Sequence, residues 1–271
     1  MKAVLIDVMG IANRAFHSIG DMTRPDGTVV GTLAGIHQAC IQLEIFCRTH
    51  TLAFCFDSRE SLRREVYPTY KHKRRDVKDA ESEDKKRARQ TMYDQVDLLP
   101  KLLREAGCSN LFKLKGYEAD DVIASAVRND RESEFVIFSN DEDYHQLLES
   151  GRVTQRSSAN YEEYTEEQFV KDYGIPPCQW PSVKAWAGCN SDNVEGIKGI
   201  GPKKAIQFLT GKFKDPTVFT DRIEIYNRNL PLVKLPYTGC PVVRVREQEC
   251  RIDWSVIRSH IEPGFIHITG V

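Results

Sequence analysis

Phe135 to Asp143 reads FVIFSNDED: four consecutive apolar residues, a small polar pair, then three acids. An apolar run of this length bounded by turn formers fits a buried strand, and the acids fall at its carboxyl end. The same design recurs along the chain. AVLID ends at Asp7, LAFCFD at Asp57, and LFKLKGYEADD runs from Leu111 to Asp121. Between these runs lie helix-like stretches at Leu33 to Cys47, Met92 to Ala106 and Val122 to Val127. Strand and helix in alternation predict an α/β fold with a parallel sheet. In open parallel sheets the loops beyond the carboxyl strand ends converge, and each of these acids lies at such an end.

With 271 residues, 41% hydrophobic and 28% charged, the chain can bury one sizeable core, with room for an appendage. The N-terminal MKAVLIDVMG is interrupted by Asp7 and reads as a first strand rather than a signal peptide. No stretch approaches membrane-spanning length, so a cytoplasmic protein with no membrane partner is expected. Eight cysteines never form a C-x-x-C pair, which predicts reduced, packed thiols and no zinc site. The net charge of -1 hides a strong separation of signs. From Arg59 to Gln90 there are twelve Lys/Arg against seven Asp/Glu; from Glu118 to Asp143 there are two against nine. Such asymmetry suits a polyanion partner and an acidic pocket filled by cations.

Each acid taken alone has an ordinary explanation. In GYEADDVIA, Glu118, Asp120 and Asp121 open a helix whose apolar face is Ala119, Val122, Ile123, Ala126 and Val127, and acids in a first turn complement the helix dipole. Asp7 and Asp57 fit turn positions, and Asp141 fits the N-cap of a helix leading to Leu147 and Leu148. Their joint placement argues otherwise. If Asp7, Asp57, Glu118, Asp120, Asp121, Asp141 and Asp143 share one sheet edge, their repulsion demands bound cations or shifted pKa values. All-oxygen ligands select hard ions, so Mg²⁺ or Mn²⁺ is expected. Two such ions are a standard arrangement for in-line displacement at phosphorus, one activating water and the other steadying the leaving oxygen.

Two further signals point to a phosphate backbone. YKHKRRDVKDAESEDKKRARQ, from Tyr70 to Gln90, carries only Tyr70 and Val77 as sizeable apolar side chains and cannot order itself by burial. A charge run of this kind is usually a solvated helix or loop, but here it follows the strand ending at Asp57 and should rise over the acidic pocket. Lys and Arg contact phosphates without reading sequence, and Lys71 and Arg74 are the candidates nearest the scissile group. The second signal is GIKGIGPKKA, Gly196 to Ala205, a glycine-rich turn opening a helix at about Lys203. Backbone N–H groups in such a turn grip phosphate oxygens. It is not a Walker loop, since G-x-x-x-x-G-K-[ST] is absent.

The ordered set formed by LID (Asp7) with Arg14, FDSRESLRR (Asp57), YKHKR (Lys71, Arg74), GYEADDVIA, SNDED and SDNVEGIKGIGPKKA closely resembles the 5′ nuclease family of flap endonucleases and 5′→3′ exonucleases. It looks most like the phage and bacterial type, including the nuclease domain of bacterial DNA polymerase, over about Met1 to Leu209. EADD or D-x-D alone is common; the ordered set with the glycine hairpin is specific. The resemblance implies a mixed, mainly parallel central sheet flanked by helices, a helical arch, and a helix-three-turn-helix element that holds duplex DNA with a bound K⁺. It implies a nuclease core over residues 1–180 with the arch at about 69–92, the DNA-binding element at 181–225, and a C-terminal segment, 226–271, packing on the core. Carried onto this chain, Asp7, Asp57, Glu118 and Asp120 would hold a first divalent ion. Asp120, Asp141, Asp143 and Asp192 would hold a second, with Asp121 in support. Lys71 and Arg74 would stabilise transition-state charge. Arg14, Tyr70, Lys73, Arg75, Gly196, Gly199, Gly201, Lys203 and Lys204 would contact DNA bearing 5′ flaps or 5′ ends, and the protein would act as a monomer in a bacterial or phage-infected cell.

One departure stands out. The family reads G-D-x-x-D-N before the hairpin; here Cys189 replaces the first aspartate. A thiol is a poor Mg²⁺ ligand, so the second site is weakened. Two alternatives stay open beside a structure-specific 5′ nuclease: a catalytically weakened DNA-junction binder and a related RNase. A haloacid-type phosphatase needs D-x-D on the first strand, and Asp7 is followed by Val8 and Met9.

Overall fold

The computed structural model describes residues 1–262, and the last part of the expected C-terminal segment, 263–271, lies outside them. Six strands form the central sheet: β1 (Lys2–Asp7), β2 (Leu52–Phe56), β3 (Leu111–Lys113), β4 (Glu134–Phe138), β5 (Val153–Arg156) and β6 (Glu163–Tyr164). Their order is β3-β2-β1-β4-β5-β6, with every pair parallel except the antiparallel β5–β6 edge. The sheet is therefore mixed and mainly parallel.

Period-two alternation explains why both faces are covered. Val4 and Ile6 of β1, Leu52, Phe54 and Phe56 of β2, and Val136 and Phe138 of β4 bury on one face. Ala3 and Leu5, Ala53 and Cys55, and Phe135 and Ile137 bury on the other. The first face packs against α1 (Val8–Ile19), α2 (Gly31–Cys47) and α12 (Trp254–Ile261), with the C-terminal half of α5 (Glu83–Glu105). The second packs against α6 (Ala119–Asn129). Between β2 and α5 lie α3 (Leu62–Val66) and α4 (His72–Asp79).

A third cluster sits beyond β6. It unites α7 (Glu166–Tyr173), α8 (Trp180–Ala187), α9 (Pro202–Leu209), α10 (Thr217–Thr220) and α11 (Ile223–Val233) around Phe169, Trp180, Trp186 and Phe219. Between α8 and α9 a small ribbon, β7 (Gly188–Cys189) and β8 (Val194–Glu195), precedes the glycine turn. From Leu235 to Asp253 the chain runs as a strap without helix or strand. It is fastened where Asn110 and Arg246 exchange hydrogen bonds and where Gln248 bonds Thr51 and Gly107.

α5 extends further toward its N-terminus than the apolar pattern from Met92 predicts. Over Glu83 to Gln90 the helix starts where Ser82 accepts the Lys85 N–H as N-cap, acids in the first turn favour it, and Arg89 lies over the Phe16 ring of α1. Together α4 and this half of α5 form a helical hairpin; α4 buries none of its side chains.

Candidate active site

The strand ends build the site directly. β1 stops at Asp7, whose Oδ1 accepts the Gly10 N–H at 3.0 Å and so starts α1. β2 stops before Asp57, whose Oδ1 accepts the Ala119 N–H at 2.8 Å and ties this strand end to the start of α6. Beyond β4, Asp141 caps a short 3₁₀ turn by accepting from Asp143 N at 2.9 Å. These acids, with Glu118 and Asp120 at the head of α6, line one cleft of about 810 Å³. The same cleft carries basic side chains, Arg59, Arg64, Lys71, Arg74, Arg75, Lys78 and Lys113, with Tyr93 among them.

Crowding of like charge shows in the titration of the floor. Burial, then the neighbouring Asp57 and Asp141 carboxylates, push Asp7 up to about 6. Ser139 and Tyr144 hydroxyls, 3.2 and 3.3 Å from its Oδ2, steady the anion. Asp57 is open to solvent within the cleft. Lost hydration against the cleft walls still raises its pKa, with Glu118 and Asp121 adding to the effect. Asp120 is driven well above the usual carboxylate range, by burial first and by Asp121 next. Glu118 goes the other way: burial opposes its charge, but Lys71 and Arg63 outweigh that and hold it below its ordinary value.

The acidic run GYEADDVIA thus splits its labour. Glu118 and Asp120 face the cleft, whereas Asp121 is fully buried and pairs through both oxygens with Arg63, at 2.6 and 2.8 Å. Asp121 also accepts the Glu118 and Tyr237 N–H groups. Expected in the metal-holding set, Asp121 instead has its lone pairs committed to fixing the head of α6.

Asp143 and Asp192 stand apart from the floor. Lys184 of α8 ion-pairs with Asp143, and Cys189 and Asp141 also act on its ammonium, so two of the four acids expected at a second ion face a lysine. Asp192 is buried, with Arg74 2.9 Å from its Oδ1 and the Tyr70 hydroxyl 3.5 Å from its Oδ2. Among the described residues no three His, Cys, Asp or Glu side chains close into a cage that could hold a metal ion. Five acids share the cleft floor, and three are neutralised by Arg63, Lys184 and Arg74.

The basic and glycine-rich candidates also separate. Lys71 reaches across the cleft to Glu118, Nζ to Oε2 2.7 Å. Tyr70, expected at DNA, is only 2% exposed and donates its hydroxyl to Glu118 at 3.0 Å. Arg74 and Arg75 line the cleft, and Lys73 is exposed outside it. Arg14 lies outside the cleft and donates to the Ala159 carbonyl at 2.9 Å. In the glycine turn, Gly199 and Gly201 have open space where a side chain would stand, and Lys204 braces the turn by donating to the Gly199 carbonyl at 2.8 Å. Gly196 does something else: a Cβ there would meet the Ala187 carbonyl carbon at 2.2 Å, so its role is close backbone approach. Lys203 is exposed. Sequence reasoning missed Arg63, Lys184, Ser139 and Tyr144. Ser139 and Tyr144 adjoin the acids of FVIFSNDEDY, a signal that was present; Arg63 and Lys184 carried none beyond their charge.

All eight cysteines are free thiols, and no helix among the described residues is long and apolar enough to cross a membrane. Residues 2–174 match the family described as 5′-3′ exonuclease, N-terminal resolvase-like domain. The chain is 29% identical over 233 residues to a 5′-3′ exonuclease of Aquifex aeolicus, covering 85% of this chain and 76% of that one. It is 31% identical over 221 residues to a 5′-3′ exonuclease of Bacillus subtilis, covering 77% and 69%. Bacterial DNA polymerase I relatives also match, and the chain spans about a quarter of their length. Among solved structures, the bacteriophage T5 flap endonuclease in a pseudo-enzyme-product complex with DNA and metal ions superposes with a TM-score of 0.74 at 21% identity, covering 87% of this chain and 90% of that one. The chain belongs to the 5′-3′ exonuclease family and is, with that family, a nuclease acting on phosphodiester bonds.

Proposed function

We propose that this chain is a divalent-metal-dependent, structure-specific 5′ nuclease that hydrolyses DNA near junctions of a 5′ single strand with a duplex. The observation that carries this reading is the cleft itself, lined by Asp7, Asp57, Glu118, Asp120 and Asp141 together with lysine and arginine. Three acids of the floor with raised pKa values, Asp7, Asp57 and Asp120, form a site short of positive charge. A phosphate backbone cannot approach such a floor unless cations intervene. The T5 flap endonuclease complex with DNA and metal ions lends support from the same fold.

Asp7, Asp57, Glu118 and Asp120 offer carboxylate oxygens, the donor set of a hard divalent ion, and would draw together around it as Glu118 leaves Lys71. When bound there, Mg²⁺ or Mn²⁺ would supply positive charge to the scissile phosphate and lower the pKa of a bound water. Lys71 and Arg74 hold the phosphate from the opposite side and offset charge that grows at its oxygens during displacement. Tyr70 positions Glu118 through its hydroxyl. The set expected for a second ion fits less well. Asp143 is committed to Lys184, Asp192 to Arg74, and Cys189 offers a thiol, so no step is assigned to that ion.

Duplex DNA beyond the junction rests on Gly199, Gly201, Lys203 and Lys204, whose turn would hold K⁺ against the backbone, while Lys73, Arg75 and Arg14 contact the strand near the cleft. The corresponding organisation is a nuclease core to about residue 180 with an arch at 69–92, a duplex-binding element to about 225, and a C-terminal strap. A second reading, a junction binder with weakened catalysis, draws on Cys189 and the Asp143–Lys184 pair. Titrating Mg²⁺ and Mn²⁺ against a 5′-flap duplex decides between them. Ion-dependent release of the flap is expected; tight flap binding with no cleavage by either ion selects the binder. A matched RNA flap tests the RNase alternative.

A further inference from the structure

The helix α4 starts without a cap of its own. Its N-cap residue, Lys71, uses no side chain for capping, and none of its eight residues is buried. A helix of that length is far below what stands alone in water, and nothing from burial holds it. The missing acceptor comes from elsewhere. The Lys73 N–H donates to Asn193 Oδ1 at 2.9 Å, a bond across 120 positions of sequence. Three neighbouring bonds make the junction continuous: Lys71 N to Asp192 O at 2.8 Å, Arg74 Nε to Ser191 O at 2.9 Å, and Arg74 Nη2 to Asp192 Oδ1 at 2.9 Å.

Both backbones are bent to make this contact. Lys71 has φ 55° and Asn193 φ 59°, two non-glycine residues in the left-handed region. Such conformations persist where surrounding structure demands them, and asparagine tolerates them better than most residues. Asn193 is also rigidly joined to the glycine turn. It leads into β8, which pairs with β7, and Gly196 lies so close to Ala187 and Gly188 that no side chain fits. From α11, the buried Asn229 donates to the Glu195 and Ala185 carbonyls at 2.8 and 2.9 Å.

We propose that Asn193 is a positioning residue that caps α4 in trans, coupling engagement of duplex DNA at the glycine turn to the placement of Lys71 and Arg74 over the cleft. The proposal rests on the nuclease reading for its catalytic consequence, but not for the cap itself. A duplex seated on Gly199 to Lys204 restrains the ribbon, the ribbon holds Asn193, and Asn193 holds the first turn of α4. The side chains that face the scissile phosphate are then set by a partner bound outside the cleft.

Hydrogen exchange and single-turnover cleavage on the full chain test this together. Asn193→Gly keeps the left-handed backbone and deletes the acceptor; Asn193→Asp keeps both. In Asn193→Gly the amides of 73–76 should exchange about tenfold faster, and a flap-free duplex that slows their exchange in the wild type should no longer do so. Its single-turnover rate on a 5′-flap duplex should fall about tenfold with Kd within about twofold, and Asn193→Asp should restore protection and most of the rate. Unchanged α4 exchange in Asn193→Gly, or duplex protection of α4 that survives the substitution, overturns the proposal. Should that variant fail to fold, Lys73→Pro deletes the donated N–H in a first helical turn, and the exchange of the 74–76 amides gives the readout. A wild type that cleaves no flap refutes the nuclease reading, while the exchange data still decide the cap.

Discussion

Lys71 Nζ lies 2.7 Å from Glu118 Oε2, and the Tyr70 hydroxyl donates to the same oxygen at 3.0 Å. One carboxylate of the floor is thereby clasped by the base of the helical hairpin. Burial works against the Lys71 ammonium, yet Tyr70, Glu118 and Asp192 hold its pKa well above the ordinary lysine value. Lys71 stays charged throughout the working range and serves as a fixed electrostatic donor. Lys71→Met should lower single-turnover cleavage about 10²- to 10³-fold with a much smaller change in duplex affinity, as measured by quenched-flow and anisotropy. A loss confined to affinity would place Lys71 in binding alone.

The raised pKa of Asp7, about 6, gives a pH dependence with a definite sign. A carboxyl whose folded pKa exceeds its unfolded value stabilises the fold at low pH, and that contribution is lost as pH rises through the folded value. Free of divalent ions, the protein should therefore lose part of its stability between pH 5 and 7. Ion binding needs the deprotonated acid, so Mg²⁺ should raise Tm at pH 7.5 and much less at pH 5.5. Calorimetry at both pH values, with and without Mg²⁺, checks this.

Charge removal on the floor should separate stability from activity. Asp57→Asn keeps an oxygen for the Ala119 N–H and relieves repulsion from Glu118 and Asp121. The ion-free variant should melt about 1–3 °C higher and cleave less than a thousandth as fast as wild type. A variant that melts higher and still turns over would remove Asp57 from the ion site.

Arg63 and Asp121 form a buried pair, 2% and 0% exposed, and removing one partner strands the other charge. Arg63→Met should cost about 3–5 kcal/mol of stability in urea unfolding.

Cys189 stands where the family pattern has aspartate, beside Lys184 and near Asp143 and Asp192. Cys189→Asp should raise the Mg²⁺-dependent rate several fold in steady-state flap cleavage. An unchanged or lower rate would mean that the Lys184 ammonium already supplies the charge this position needs.

The parallel strands and the strand-end acids were legible because a short unbroken apolar run and an acid at its carboxyl end are local patterns. FVIFSNDED and LAFCFD carried both. The partners of those acids were not legible, because they come from far along the chain: Arg63 meets Asp121 across 58 positions and Arg74 meets Asp192 across 118. Tyr70 illustrates the cost. Its position in a basic run suggested an exposed contact, whereas one hydroxyl bond to Glu118 turns it inward. Asn193 could not have been singled out from sequence, since a cap supplied in trans leaves no spacing to read.

Anomalous diffraction from crystals soaked in millimolar Mn²⁺ tests the central claim most directly. A peak is expected between Asp7, Asp57, Glu118 and Asp120, with carboxylate oxygens about 2.1–2.2 Å away. A cleft without a peak there, with Glu118 still clasped by Lys71 and the aspartates turned apart, would contradict the account.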